Sequence, residues 1–183
     1  ILALLLILFS AWKFFGPSVN APEGKFLYIR TGQTFGQVKQ ELISKKIISS
    51  AIWFDWTAGA MKFSNVKAGK YEIKESLSLF ELVRMLKNGR QTPIKLVITK
   101  LRLKEDFARK LGQQFEFDSL AAMHYLTNND SLKLLGLDSN NVMTAVMPNT
   151  YSFYWNTTPG KVLRKLNDYR DQFWNEERRK KAT

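Results

Sequence analysis

Hydrophobic positions along this chain follow three patterns: one near-continuous run, short alternating segments, and stretches where apolar residues return every three or four positions. The run opens the sequence, ILALLLILFSAWKFF, broken only by Ser10 and Lys13. It is shorter than the roughly 20 apolar residues a spanning helix needs, and the chain does not begin with Met. It predicts a transmembrane helix over 1–15 that starts upstream of the numbering. Trp12, Phe14 and Phe15 would lie at the far interface, with Lys13 snorkelling to the headgroups. Gly16 and Pro17 end it, and 16–25 reads as a linker. A cleaved signal peptide is the rival, but FGPSVNAPEG offers no evident small-x-small site.

From Phe26 the pattern becomes regular. FLYIRTG predicts a strand closed by a Thr31-Gly32 turn. Thr34 then caps a helix with Phe35, Val38, Leu42 and Ile43 on one face. Ser49 or Ser50 caps a second helix through AIWFDWTAGAMKF, and VKAGKYEI turns at Gly69 into a strand. A third helix is punctuated at both ends, with Ser78 and Glu81 as a capping box and Gly89 past the last turn. Ile94 to Thr99 alternates as a strand. Beyond it the chain is mostly helical, with Leu103, Phe107 and Leu111 stacked on one helix. Asp118 or Ser119 caps the next, and a short one ends at Gly136. Thr158 and Pro159 open a long helix expected to run to Thr183, with Val162, Leu163, Leu166, Tyr169 and Phe173 as its stripe. The natural boundary falls between 99 and 104.

Composition narrows the chemistry. At 45% hydrophobic and 24% charged the chain can build a core. Twenty-eight Lys and Arg against 16 Asp and Glu leave a net charge of +12, which favours anionic partners or a basic face turned to solvent. Cysteine is absent, which removes disulfides, thiolate catalysis and cysteine zinc sites. His124 is the single histidine, so no multi-histidine metal site exists within the chain. No phosphate-binding loop, dinucleotide fingerprint or nucleophile elbow occurs, and no cofactor is expected. The basic residues are scattered over Lys45-Lys46, Lys100 to Lys104 and Arg178 to Lys181, which argues against nucleic acid. Glu105, Asp106, Glu116 and Asp118 stand at helix starts, where they complement the dipole. Asp168, Asp171, Glu176 and Glu177 share a polar helix face with Arg and Lys. None has the apolar setting that raises a general acid's pKa.

One segment resists a single reading. VMPNTYSFYWNTTP, Val146 to Pro159, sets aromatic rings among Asn and Thr side chains. Rings that stack on sugar C–H faces beside amides and hydroxyls suit a glycan groove. Equally, Tyr151, Phe153 and Trp155 alternate as the inward face of a half-buried strand. Pro148 confines the segment to an edge or an irregular turn.

In order along the chain, these features resemble the YceG-like family of endolytic murein transglycosylases. The likeness is carried by the N-terminal apolar run, FLYIRTGQTFGQVKQELISKKII, VKAGKYEIKESLSLFELVRMLKNGR, the IKLVIT strand and MPNTYSFYWNTTP. In the last, Pro148, Asn149, Thr150 and Tyr151 match the family's Pro-Asp/Asn-Thr-Tyr segment. The resemblance implies internal cleavage of peptidoglycan strands without water, leaving 1,6-anhydro-N-acetylmuramic ends. One glutamate would serve as acid and then as base, in place of the carboxylate pair of ordinary glycoside hydrolysis. The family's Ala-Ser-Ile-x-Glu pattern does not occur here, so no catalytic residue is nominated, and that glutamate is expected beyond Thr183. The Glu-Gly that often precedes the family's tyrosine segment is replaced by MTAV.

The expected architecture is therefore α+β. A transmembrane helix over 1–15 and a linker over 16–25 precede a LysM-like βααβ glycan-binding module over 26–99, which includes an additional helix and strand. A mostly helical front part of a catalytic domain fills 100–183. The resemblance names Asn149, Thr150, Tyr151 and Trp155 as substrate-binding residues. It implies peptidoglycan as substrate, peptidoglycan synthases as candidate partners, and a single-pass protein of the bacterial inner membrane with its folded part outside the cytoplasm. A non-catalytic peptidoglycan-binding or scaffolding protein is the alternative.

Overall fold

The computed structural model describes residues 12 and 14–182, side chains excepted at 182. The chain divides into two compact units, Ile1–Thr92 and Pro93–Thr183. The expected boundary at 99/100 moves back because the strand Ile94–Ile98 pairs with Asn149–Phe153, far along the chain, and so belongs to the second unit. No helix among the described residues is long and apolar enough to cross a membrane. The span expected over 1–15 lies mostly outside the described residues, of which Trp12, Phe14 and Phe15 are helical.

The first unit begins with strand β1, Phe26–Ile29, then helices α1, Phe35–Ser44, and α2, Ala51–Ala60, and returns in strand β2, Gly69–Glu72. β1 and β2 pair antiparallel, Leu27 opposite Tyr71 and Ile29 opposite Gly69. Period-two alternation turns Leu27, Ile29 and Tyr71 inward. They meet Val38 and Leu42 of α1, Phe54 and Ala58 of α2, and Leu79, Leu82, Val83 and Leu86 of α3, Leu79–Asn88. Burial pushes the Tyr71 phenol up to about 12, and its hydroxyl donates to the Lys67 carbonyl at 2.7 Å. On the outer face Lys70 Nζ stands 3.7 Å from the centre of the Phe26 ring, a cation–π contact.

Of the expected caps, Ser50 and Thr158 stand at their N-cap positions without a side-chain cap bond, while others close. Thr34 and Gln37 close a capping box on α1, Ser78 and Glu81 another on α3, and Gly89 ends α3 at φ 67°, in the left-handed region. Ile43, expected on the buried face, is 41% exposed. Val38 and Leu42 set the buried stripe at i, i+4, and Ile43 lies about 100° further round.

The second unit is built on strand β3, Ile94–Ile98, and strand β4, Asn149–Phe153, antiparallel with Leu96 opposite Tyr151. Between them run α4, Lys104–Gln114, α5, Ser119–Thr127, and α6, Asn129–Lys133; α7, Pro159–Phe173, follows β4. Phe107, Leu111, Ala122, Leu126, Val162, Leu163 and Leu166 are buried against the inner ladder face. Leu103 is 59% exposed rather than part of that stripe, because it is the extended N-cap residue of α4. Gly112 lets α4 and α5 touch backbone to backbone: a Cβ there would lie 2.4 Å from the Ser119 nitrogen. The long helix expected to reach Thr183 stops at Phe173. Trp174 leaves helical geometry at ψ 61°, and Asn175 Oδ1 accepts the Arg178 N–H, starting α8, Glu176–Ala182.

Two predictions test these contacts. Ser78→Ala should cost about 1 kcal/mol in urea unfolding at neutral pH, the usual worth of an N-cap. The Ser78 backbone N–H and hydroxyl hold the Glu81 carboxyl below the ordinary range. A lowered folded-state pKa stabilises above the unfolded value and is lost as pH falls through the folded one, so the mutant's deficit should shrink on acidification. Gly112→Ala should lower stability by about 1–3 kcal/mol, since the clashing atoms are backbone and cannot swing aside.

Candidate functional site

The β3–β4 ladder decides where the aromatic segment points. Inner-face positions are Ile94, Leu96 and Ile98 opposite Phe153, Tyr151 and Asn149; Lys95 and Val97, opposite Ser152 and Thr150, look outward. Tyr151 is 4% exposed. Its ring meets Tyr169 edge-on at 5.4 Å and its hydroxyl donates to the Met147 carbonyl at 3.0 Å. Phe153 packs on Phe115 at 5.5 Å. Both rings are core, so the alternation reading holds for them, and no face of Tyr151 is left for a sugar.

The four residues named by resemblance are thus not brought together. Asn149 is half-buried, and its Oδ1 accepts the Thr150 N–H at 2.7 Å. Thr150 lies on the solvent side. Trp155 is half-buried after the strand, its carbonyl accepting the Glu116 N–H at 3.0 Å.

Beside the end of β4 lies a cavity of about 380 Å³ lined by Pro93, Ser152, Phe153, Tyr154, Thr157 and Lys165. The turn from β4 into α7 builds it: the Thr157 N–H donates to the Tyr154 carbonyl at 3.0 Å, leaving the Tyr154 side chain 54% exposed. Lys165, from the second turn of α7, donates to the Ser152 carbonyl at 2.8 Å. Its ammonium sits 5.0 Å from the centre of the Phe153 ring. An exposed phenol ring, two hydroxyls and a fixed ammonium in a shallow concavity can stack on and hydrogen-bond a polyhydroxylated, neutral or anionic ligand. None of the lining residues is a carboxylate.

Carboxylates of the second unit do structural work. Asp118 caps α5 through the Ala121 N–H, Asp138 accepts the N–H groups of Asn140 and Asn141, and Asp106 and Asp171 pair with Arg109 and Arg170. Glu176 and Glu177 are exposed, as is His124. Among the described residues no cluster of His, Asp and Glu has the arrangement of a metal site.

Tyr154 was legible from parity alone, since inward Tyr151 and Phe153 force Ser152 and Tyr154 outward. Lys165 carried no such signal. On a helix face it looks like any solvated lysine, and only the approach of β4 gives it a carbonyl partner.

Comparison with known proteins adds one family and one structure. The sequence model of the YceG-like family matches residues 27–183. A crystal structure of a YceG-like protein of Listeria monocytogenes is similar at 19% identity and a TM-score of 0.42, over 84% of this chain and 56% of that one. This chain thus spans little more than half the length of that relative. Among curated proteins none matches.

Tyr154→Ala should leave the thermal midpoint unchanged, because the ring is 54% exposed; a melting curve checks this. Tyr151→Phe should instead cost about 1 kcal/mol by stranding the Met147 carbonyl. Burial, and secondarily Tyr169, pushes the Tyr151 phenol up to about 12. A raised pKa stabilises fully below the unfolded value near 10 and is lost as pH climbs through the folded one. Ultraviolet titration should therefore show Tyr151→Phe losing one late-ionising phenol, with Tyr71 remaining.

Proposed function

We propose a function from one premise: the chain belongs to the YceG-like family. The protein that contains it is a peptidoglycan lytic transglycosylase, and its working polymer is the glycan strand. The family match over 27–183 carries this reading. Its finer content is internal cleavage leaving 1,6-anhydro-N-acetylmuramic ends. A single glutamate protonates the leaving oxygen, then takes the proton of the sugar's own 6-hydroxyl as that oxygen attacks the anomeric carbon. The glutamate is proposed to lie C-terminal to Thr183.

Within this chain, the proposed roles are binding and positioning. The antiparallel β1–β2 pair with α1 and α2 between them supports a LysM-like module for the first unit. The cavity at Tyr154, Thr157 and Lys165 supports a glycan contact in the second, with Thr150 on the same outer ladder face and Asn149 and Trp155 as flanking, half-buried neighbours. The apolar run 1–15 is proposed to anchor the protein in the bacterial inner membrane as a single span, with both units on the outer side. Peptidoglycan synthases are proposed partners there.

One observation favours a second reading. The cavity holds no carboxylate, so a non-catalytic peptidoglycan-binding or scaffolding protein would need nothing more than this chain contains.

Mass spectrometry of purified peptidoglycan, after incubation with this 183-residue chain and separately with the whole gene-encoded protein, separates the two. Anhydro-ended fragments from the whole protein alone are expected. Binding by both without cleavage by either would overturn the enzymatic reading in favour of the scaffold. Cleavage by the 183-residue chain would refute the proposed position of the glutamate.

A further inference from the structure

The outer faces of α1 and α3 are mostly polar or charged, Gln37 and Gln40 beside Ile43 on one, Glu81, Arg84 and Lys87 on the other. α2 differs. Its sequence, AIWFDWTAGA, is apolar almost all round; the core takes the side bearing Phe54, Thr57 and Ala58, with Trp53 partly packed beside it. On the opposite side Ile52 and Trp56, one turn apart, are 67% and 64% exposed. The helix's single charge, Asp55, is bound to Lys39 at 2.9 Å. A helix apolar on every side meets a core, a partner or lipid on each of them.

The same surface continues toward the start of the chain. The Trp53 ring lies 5.8 Å from Trp56 and 5.4 Å, edge-on, from Phe14. Phe15, 67% exposed, meets Phe80 at 5.4 Å, and the Arg84 guanidinium stands 5.6 Å from that ring. Phe14 and Phe15 are the last residues of the apolar run that opens the sequence. Aromatic and aliphatic side chains therefore form a band that begins where that run ends.

We infer that the Ile52–Trp56 face of α2 rests on the lipid bilayer, at the boundary of headgroups and acyl chains. Indole rings favour that depth, with the ring in the acyl boundary and the N–H toward water. The excess of Lys and Arg, Arg84 among them, favours the anionic headgroups of such a surface. This inference rests on the proposed anchorage through residues 1–15. Tethering raises the effective concentration of the surface, so a patch of two or three side chains suffices where it would not hold a free protein. The consequence is an orientation: the first unit lies against the membrane instead of swinging on the linker.

The absence of cysteine makes a direct test simple. In the whole chain, Ile52→Cys, Trp56→Cys and, in the other unit, the 80% exposed Leu134→Cys each receive an environment-sensitive fluorophore. The proteins are mixed with phosphatidylethanolamine–phosphatidylglycerol vesicles, with or without nitroxide on the acyl chains. Labels at 52 and 56 should blue-shift and be quenched by the nitroxide, and the label at 134 should do neither. Adding Ile52→Lys to the Trp56→Cys protein should abolish quenching while the protein still floats with the vesicles and keeps its helical circular dichroism. Flotation with all three labels equally unquenched would overturn the inference and leave the anchorage standing. No flotation at all would overturn both. Shielding of the labels at 52 and 56 without lipid, rising with protein concentration, would overturn it in favour of a second copy.

Discussion

A two-stranded antiparallel ladder can bury only one of its faces, and each unit of this protein is organised around that constraint. With no third strand to share the work, every inward residue must be apolar or hydrogen-bonded, and every outward one is left for solvent or a ligand. Leu27, Ile29 and Tyr71 are committed inward in the first unit, as are Leu96, Ile98, Tyr151 and Phe153 in the second. The helices exist to cover those faces, since a lone hairpin is marginal in water. Both buried tyrosines keep their hydroxyls satisfied through a carbonyl four residues upstream, Lys67 and Met147. This lets a large ring enter each core without stranding a polar atom.

The same constraint separates function from stability. In the second unit one strand supplies both: Tyr151 and Phe153 of β4 hold the core, while Ser152, an edge of Phe153 and Tyr154 just beyond line the cavity. Lys165 links the two roles, since its bond to the Ser152 carbonyl fixes α7 against the ladder and also sets a positive charge beside the cavity. A change in Tyr154 thus acts on the surface alone, and a change in Tyr151 acts on the fold. In the first unit α2 divides likewise, Phe54 and Ala58 holding the core and Ile52 and Trp56 facing out.

Much of the fold was legible because its signals are local. Capping boxes are set by side chains three residues apart, so Ser78 with Glu81 and Thr34 with Gln37 announce helix starts whatever surrounds them. Gly89 and Gly136, both at positive φ, mark stops for the same reason. Features whose deciding contact is distant leave no such signal. The first unit ends before β3 because that strand finds its partner more than fifty residues later. The long C-terminal helix breaks at Trp174 because Asn175, unremarkable in sequence, caps the next one. Asn149, Thr150, Tyr151 and Trp155 stand together in the segment that carries the resemblance, yet successive strand residues point to opposite faces.

The sequence by itself determined the element types, most of their ends, the inward alternation of the ladders and, through the ordered series of motifs, the family. These follow from local sterics, short-range hydrogen bonds and hydrophobic period, which a chain carries wherever it goes. Only the tertiary structure decided which strands pair, that Gly112 is a helix contact rather than a weak point, and that Lys165 meets Ser152. Each of those depends on what lies opposite in space, and burial removes one face of a residue from use without leaving a mark on the residue's name.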